Sequence, residues 1–335
     1  MPPDRLYLAP LRGLTDGVFR TVFSRHFSGF DLAVAPFIST VSTPRVKPTL
    51  LKDIRPERNR AMPVVPQLLS NDPEGFIRMA RRIADLGYGE INLNLGCPFP
   101  MVAKKGRGSG MLPFPDRVAA FLDRVAPAIP CALSVKTRLG FHAADEIFRL
   151  MPVFNRYPLS ELIVHPRTGV RMYGGRPDLD TFSACLAESA LPVVYNGDIR
   201  SPAAFHCLKD RFPAVRGWMI GRGALADPFL AEHLKAGSGK IPPDLTRFRV
   251  FQEDLFRSYD EILSGPAHTV DRMKGFWYYF SQSFPENRRD IKKILRSKSP
   301  DGYHDAVSAF FAADPVWRPA ESDPPTGGCF EDTDR

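Results

Sequence analysis

The residues best equipped for chemistry lie between Ile91 and Leu112, in INLNLGCPFPMVAKKGRGSGML. An apolar run stops at Gly96-Cys97-Pro98, and a basic, glycine-rich stretch follows with Lys104, Lys105, Gly106, Arg107, Gly108 and Gly110. Most unpaired cysteines are small buried hydrophobes. Here Pro98 stiffens the backbone just after Cys97, the glycines leave the next loop free to move, and Asn94 offers an amide that donates and accepts at once. A thiol so placed suits a proton donor or a nucleophile.

The elements that must position this thiol repeat along the chain. Short apolar runs fall at Leu6 to Ala9, Leu32 to Ala35, Val64 to Leu68, Ile91 to Leu95, Ala132 to Lys136, Leu162 to His165, Val193 to Asn196 and Gly217 to Ile220, with helical segments between them. Eight strand-helix units predict an α/β fold, a (β/α)8 TIM barrel. No Gly-x-Gly-x-x-Gly turn follows the first run, so the dinucleotide-binding open sheet loses its best support. Polar residues collect just after the runs, where such barrels keep their chemistry. Pro10 follows the first and Gln67 falls within the third; Lys136 and Arg138 sit in SVKTRLG after the fifth. His165, Arg167 and Tyr173 belong to VHPRTGVRMYGG after the sixth, Asn196-Gly197-Asp198 follow the seventh, and Gly221-Arg222-Gly223 follow the eighth. Backbone N–H groups in the last two glycine turns, with Arg222 and a helix N-terminus, suit a phosphate dianion.

The chain has 335 residues and a formal net charge of +8, which favours an anionic partner. Five scattered cysteines (Cys97, Cys131, Cys185, Cys207 and Cys329) form no Cys-x-x-Cys pair, so no metal centre is expected and reduced thiols fit best. The start, MPPDRLYLAP, lacks the basic and apolar segments of a signal peptide, and no stretch reaches membrane-spanning length. A soluble, cytoplasmic protein with no membrane partner is expected.

Asn94-Leu95-Gly96-Cys97-Pro98, followed by Gly-Arg-Gly-Ser-Gly, resembles the signature of the tRNA-dihydrouridine synthases, bacterial-type FMN enzymes that reduce a uracil base in RNA. LAPLRGLTDGVFR resembles the opening block of that family, and VKTRLG, VHPRTG, VYNGDI and MIGRGAL its later blocks in order, over about Leu6 to Phe229. Leu11 stands where the family has methionine, and Pro166 where a glycine is common. The resemblance implies FMN held by Pro10, Gln67, Lys136, His165, Asn196, Gly197, Asp198, Gly221 and Arg222, with NADPH as electron donor. It implies hydride delivery to C6 of a uridine in tRNA and a proton from Cys97 to C5, the base being swung out of the folded RNA. Asn94, Arg138, Arg167 and Tyr173 would then contact the base or its phosphate, and the loop cations Lys104, Lys105 and Arg107 the RNA. Two rivals stand beside this reading: an FMN barrel acting on a free pyrimidine, as dihydroorotate dehydrogenase does, and an RNA-binding barrel without catalysis.

Residues 1 to 237 are expected to form the barrel, with a linker in KAGSGKIPPD. Residues 245 to 315 have helical periodicity, and the polar, proline- and glycine-rich tail over 316 to 335 is expected to be disordered. In PENRRDIKKILRSK, Arg288, Lys292 and Arg296 recur four apart and share one helix face. Arg272 and Lys274 lie beside Trp277 and Tyr278, although aromatics at that spacing are usually core. In the family this helical part contacts tRNA, so these five cations are expected to bind it. A monomer is the expected state.

Overall fold

The computed structural model describes residues 4–40, 47–237 and 243–318. The apolar runs become ten strands: β1 Leu6–Leu8, β2 Leu32–Val34, β3 Ile38–Ser39, β4 Val64–Val65, β5 Gln67–Leu69, β6 Glu90–Leu95, β7 Ala132–Gly140, β8 Leu159–Thr168, β9 Val193–Tyr195 and β10 Gly217–Ile220. Every pairing is parallel, in the order β3-β5-β6-β7-β8-β9-β10-β1-β2-β4.

The count exceeds eight because the third run splits at Pro66, which has no N–H to give a ladder. Its two halves face opposite neighbours: β4 pairs with β2, and β5 with β6. The Pro66 carbonyl accepts from Asn92 N at 2.8 Å, so one continuous segment joins both edges and closes the barrel. β3 is a two-residue addition to β5.

Successive side chains alternate between the helices outside and the barrel lumen. Leu6, Leu8, Ile91, Leu93, Leu133, Val135, Leu162 and Val164 join the main core under the helices. Facing inward, Tyr7, Ala9, Leu32, Val34, Ile163, Val194 and Met219 make a separate small apolar cluster. The lumen is completed on the β5–β8 side by buried polar residues, Gln67, Asn92, Asn94, Ser134, Arg138, His165 and Arg167. One wall is therefore apolar and the other polar.

After the barrel, helices run over Leu245–Asp260, Pro266–Phe280, Arg288–Arg296 and Pro300–Ala312. Their aromatics share the barrel's core: Phe276 stacks on Phe19 with ring centroids 5.4 Å apart, and Phe251 meets Phe27 at 4.9 Å. Polar ties fix the seam, with His26 Nε2 2.8 Å from Asp254 and Ser283 Oγ donating to the Ala226 carbonyl at 2.8 Å. The middle of the expected linker, residues 238–242, lies outside the described residues, as do 319–335 of the expected tail. The first residues assigned to that tail are instead docked: Trp317 is buried against Phe229, Phe248 and Phe284, and Arg318 N donates to the Ser283 carbonyl. Among the described residues no helix is long and apolar enough to cross a membrane.

Candidate active site

Cys97 follows β6 at the C-terminal mouth of the barrel. A chain of amides inside the polar wall holds it there. Ser134 Oγ accepts from Asn92 Nδ2 at 2.9 Å, Asn92 Oδ1 from Gln67 Nε2 at 2.8 Å, and Gln67 Oε1 from Asn94 Nδ2 at 2.8 Å. Asn94 Oδ1 then accepts from both Gly96 N (3.1 Å) and Cys97 N (2.8 Å), so the relay ends on the backbone of the thiol. Every side-chain amide nitrogen and oxygen in it has at least one partner, which makes the wall rigid. Gln67 and Asn94 thus spend part of their capacity on shaping the loop, and each keeps one N–H for a ligand.

The glycines beyond Cys97 do not serve mobility, as the sequence suggested. Ser109, fully buried, donates to the Cys97 carbonyl through N (3.1 Å) and Oγ (2.9 Å). A Cβ on Gly108 would stand 2.7 Å from that carbonyl oxygen, and one on Gly110 2.2 Å from the Ala103 oxygen. Close backbone approach is what selects glycine here. Burial pushes the Cys97 thiol above its ordinary range, only partly offset by the Phe99 N–H and the charges of Arg138, Arg12 and Lys136. The sulfur therefore carries its proton at neutral pH, as a donor must.

Lys136 lies opposite Asn94 in the β6–β7 register. No hydrogen bond or ion pair holds its ammonium among the described residues. Burial, and then the Arg138 guanidinium, bring it down to about 7. A cation desolvated without a partner is costly unless a ligand supplies the counter-charge. His165 is held well below its ordinary range by burial and by Arg138, Lys136, Arg167 and Arg222 around it. Being neutral, it accepts from Arg167 Nη1 through Nε2 at 3.1 Å and keeps an Nδ1–H.

Lys136, Arg138, His165 and Arg167 stand within β7 and β8, not after them, because both strands run longer than their apolar cores. Both arginines, expected to contact the base or its phosphate, also hold loops of the mouth. Arg138, 2% exposed, donates to the carbonyls of Gly96 (2.9 Å), Thr168 (2.9 Å) and Met172 (2.6 Å). Burial brings it down only to about 10, so it remains charged. Arg167, 3% exposed, gives its donors to His165, the Gly174 and Gly175 carbonyls and the Asp198 carboxylate. Both arginines tie loops together.

Asp198 also accepts from Arg222 Nη2, at 2.6 Å. Burial works to raise its carboxyl, but the Arg167 hydrogen bond and the Arg167 and Arg222 charges outweigh that and hold it below the usual range. A carboxylate cannot itself meet a phosphate, so Asp198 is a positioning residue that aims Arg222. The other residues expected around a phosphate lie near Arg222 in the turns after β9 and β10. Asn196 Nδ2 is anchored on the Met219 carbonyl at 2.9 Å, and Gly221 caps the short helix Arg222–Ala226, whose first N–H groups have no partner within it. Gly197 packs where a Cβ would stand 2.8 Å from the Tyr195 hydroxyl oxygen. Across the mouth, the Tyr173 ring is 47% exposed, with the Arg222 and Arg138 guanidinium carbons 5.2 and 5.5 Å from its centroid.

Pro10 opens the β1 loop, which Thr15 orders by donating to the Ala9 carbonyl at 2.8 Å and accepting from Leu11 N at 2.8 Å. Arg272 reaches this loop from the helices, donating to the Gly13 carbonyl and standing 3.5 Å from Asp16. Through Nη1 it ties the helices to the barrel. Lys274 pairs with Asp271 at 3.1 Å. Arg107 is taken by Asn71 Oδ1 at 3.0 Å, while Lys104 and Lys105 are exposed. Trp277 is core, donating to Tyr303 at 2.9 Å, but Tyr278 is 64% exposed. Arg288, Lys292 and Arg296 are exposed on one helix face and have no ion-pair partner among the described residues.

Three residues escaped the sequence reading. Asn92 and Ser134 complete the amide relay; polar residues at every second position of β6 and β7 were the signal. Arg12 lies exposed in the β1 loop with its guanidinium carbon 5.6 Å from the Phe37 centroid, close enough for its charge to act on Cys97. Cys97, Cys131 and Cys185 are free thiols.

Comparison with known proteins matches these features to a family. A tRNA-dihydrouridine(16) synthase of Cupriavidus necator is 33% identical over 304 residues, covering 84% of this chain and 90% of its own. A tRNA-dihydrouridine synthase B of Shewanella oneidensis is 31% identical over 298 residues, covering 87% and 91%. A probable tRNA-dihydrouridine synthase of Rhodobacter capsulatus is 29% identical over 269 residues, covering 78% and 80%. The dihydrouridine synthase (Dus) family profile itself extends over residues 7–295, from β1 through the barrel into the basic helix, and the chain belongs to that family of oxidoreductases acting on tRNA.

Proposed function

We propose that this protein reduces the C5–C6 bond of a uridine in tRNA, with FMN as its bound cofactor and NADPH as the source of electrons. The observation that carries this reading is the pairing of a protonated thiol, Cys97, with an unpartnered lysine, Lys136, across adjacent strands at the mouth. Saturating a conjugated carbonyl needs a cation where negative charge gathers and an acid where the new C–H forms.

The residues fit a flavin mononucleotide. Lys136 lacks a counter-charge, His165 offers Nδ1–H, and Arg222 with the N–H groups after β10 suits a phosphate dianion. When bound, FMN supplies hydride to C6 of the base. Cys97 gives its proton to C5 from the opposite face, and its elevated pKa keeps that proton in place beforehand. Asn94 fixes the Cys97 backbone and turns its remaining N–H to the base. Tyr173, exposed between two guanidinium groups, gives the base a flat surface at the mouth. Arg288, Lys292 and Arg296 hold phosphates of the folded RNA outside it.

The test is a tRNA transcript free of modification, incubated with purified yellow protein and NADPH. The expected result is NADPH oxidation that depends on the transcript and leaves dihydrouridine in it, with no turnover of dihydroorotate. Turnover of dihydroorotate with an inert transcript would assign the site to a free pyrimidine instead.

A further inference from the structure

A groove of about 610 Å³ opens on the outer wall of the barrel, between the helices Pro73–Ala84 and Pro115–Val125 and beneath the loop that follows Cys97. Four cations line it, Lys104, Lys105, Arg117 and Arg124, and no acidic residue does. Arg124 is neutralised by Glu74 from the neighbouring helix. The other three have no carboxylate partner among the described residues. Arg117 sits over Phe114, its guanidinium carbon 4.5 Å from the ring centroid, and that ring is 45% exposed. Unneutralised cations beside a partly exposed aromatic ring are what single-stranded nucleic acid uses, phosphates on the one and a base on the other.

The groove is built from fixed parts. Asn71 donates to the Lys105 carbonyl at 2.9 Å and accepts from Arg107 Nε at 3.0 Å, which sets the backbone carrying both lysines. The same loop returns through Ser109 to the Cys97 carbonyl, so groove and thiol share one short segment. Lys104 and Lys105 belong to the loop after Cys97 and Arg117 to the helix Pro115–Val125, so the three unneutralised cations come from two separate elements. A strand with successive phosphates can meet both.

We infer that this groove is a second RNA site, holding a single-stranded stretch of the same tRNA whose uridine enters the barrel, on a wall distinct from the Arg288–Arg296 helix. The inference rests on the proposed function, and it gives the enzyme two separate RNA-binding surfaces, one on the helices and one beside Cys97.

The experiment measures binding of a transcribed tRNA to the full-length, flavin-loaded protein as a function of salt. Lys104→Ala/Lys105→Ala/Arg117→Ala should weaken binding and flatten the dependence of log affinity on log salt by about 2, at roughly 0.7 for each single-stranded phosphate no longer neutralised. Lys104→Glu/Lys105→Glu, which leaves the Arg117–Phe114 pair untouched, should also weaken it, by adding repulsion. Both changes are at exposed side chains, and a parental thermal midpoint shows that the fold is kept. If the parent binds tRNA and either variant keeps the parental affinity and slope, the groove inference is overturned while the proposed function stands. If the parent shows no salt-dependent tRNA binding, the proposed function fails first.

Discussion

Arginine does opposite work in two parts of this molecule. At the barrel mouth, Arg138 and Arg167 are almost fully buried and donate to loop carbonyls and, from Arg167, to Asp198. On the helix Arg288–Arg296, Arg288 and Arg296 are exposed with no partner among the described residues. Desolvation accounts for the difference. A buried guanidinium must find acceptors inside the protein, so it becomes structure; an exposed one keeps its hydration and can exchange it for a phosphate. Position in the fold, not residue type, decides which arginines bind and which build.

The contrast is broken most severely at Asp198. Asp198→Ala leaves the Arg167 guanidinium buried without its carboxylate, a loss on the order of 3 to 5 kcal/mol for a broken buried pair. The thermal midpoint should fall sharply, whereas a solvated carboxylate of the same kind, Asp271 paired with Lys274, should shift it little when removed. Equal midpoints in the two variants would show that the mouth network is not structural.

Reversing charge at Arg288, Lys292 and Arg296 should act on the other side of the comparison. The midpoint and flavin content should stay parental, while log affinity for tRNA loses about 2 in its slope against log salt. A fall in midpoint without a change in slope would move this helix to the structural class.

The smallest effect is at Lys136 and depends on pH. In the free protein its ammonium titrates near 7, and an anionic ligand beside it favours the charged form. Flavin affinity should therefore be highest below about pH 7 and decline above it, and Lys136→Met should flatten that decline. The stability linkage has the opposite sign. The folded pKa lies below that of an unfolded lysine, so this group lets stability rise as pH climbs from about 7 towards the ordinary lysine range. Flavin binding titrated from pH 6 to 9 in parent and variant checks the sign.

Much of this was legible in the chain. The eight apolar runs placed the barrel strands to within a few residues, and Cys97 stood out because Gly96 and Pro98 end its strand. Which polar side chains remain free could not be read, because their partners come from distant backbone. The carbonyls of Thr168, Met172 and Gly175 reach Arg138 and Arg167 only once β7 and β8 extend beyond their apolar cores, and that of Gly13 reaches Arg272 from 259 residues away. Glycine was ambiguous for a related reason: Gly108 and Gly110 look like hinges in sequence, but they mark places where two backbones touch. The groove beside Cys97 was equally hidden, since Asn71, Lys105 and Arg117 meet only in the folded barrel.

The central claim is that the polar wall of the barrel holds Cys97 so that its thiol delivers the proton to the reduced base. It is tested most directly by reducing the flavin in Cys97→Ala anaerobically and following its reoxidation by tRNA in a single turnover, beside the thermal midpoint. Flavin should stay bound and be reduced by NADPH as in the parent, because neither step uses that proton. Reoxidation by tRNA should slow by about 10²- to 10⁴-fold, the usual contribution of a general acid. Near-parental reoxidation, with a midpoint loss worth about 1 kcal/mol of burial, would contradict the claim and leave Cys97 a structural thiol.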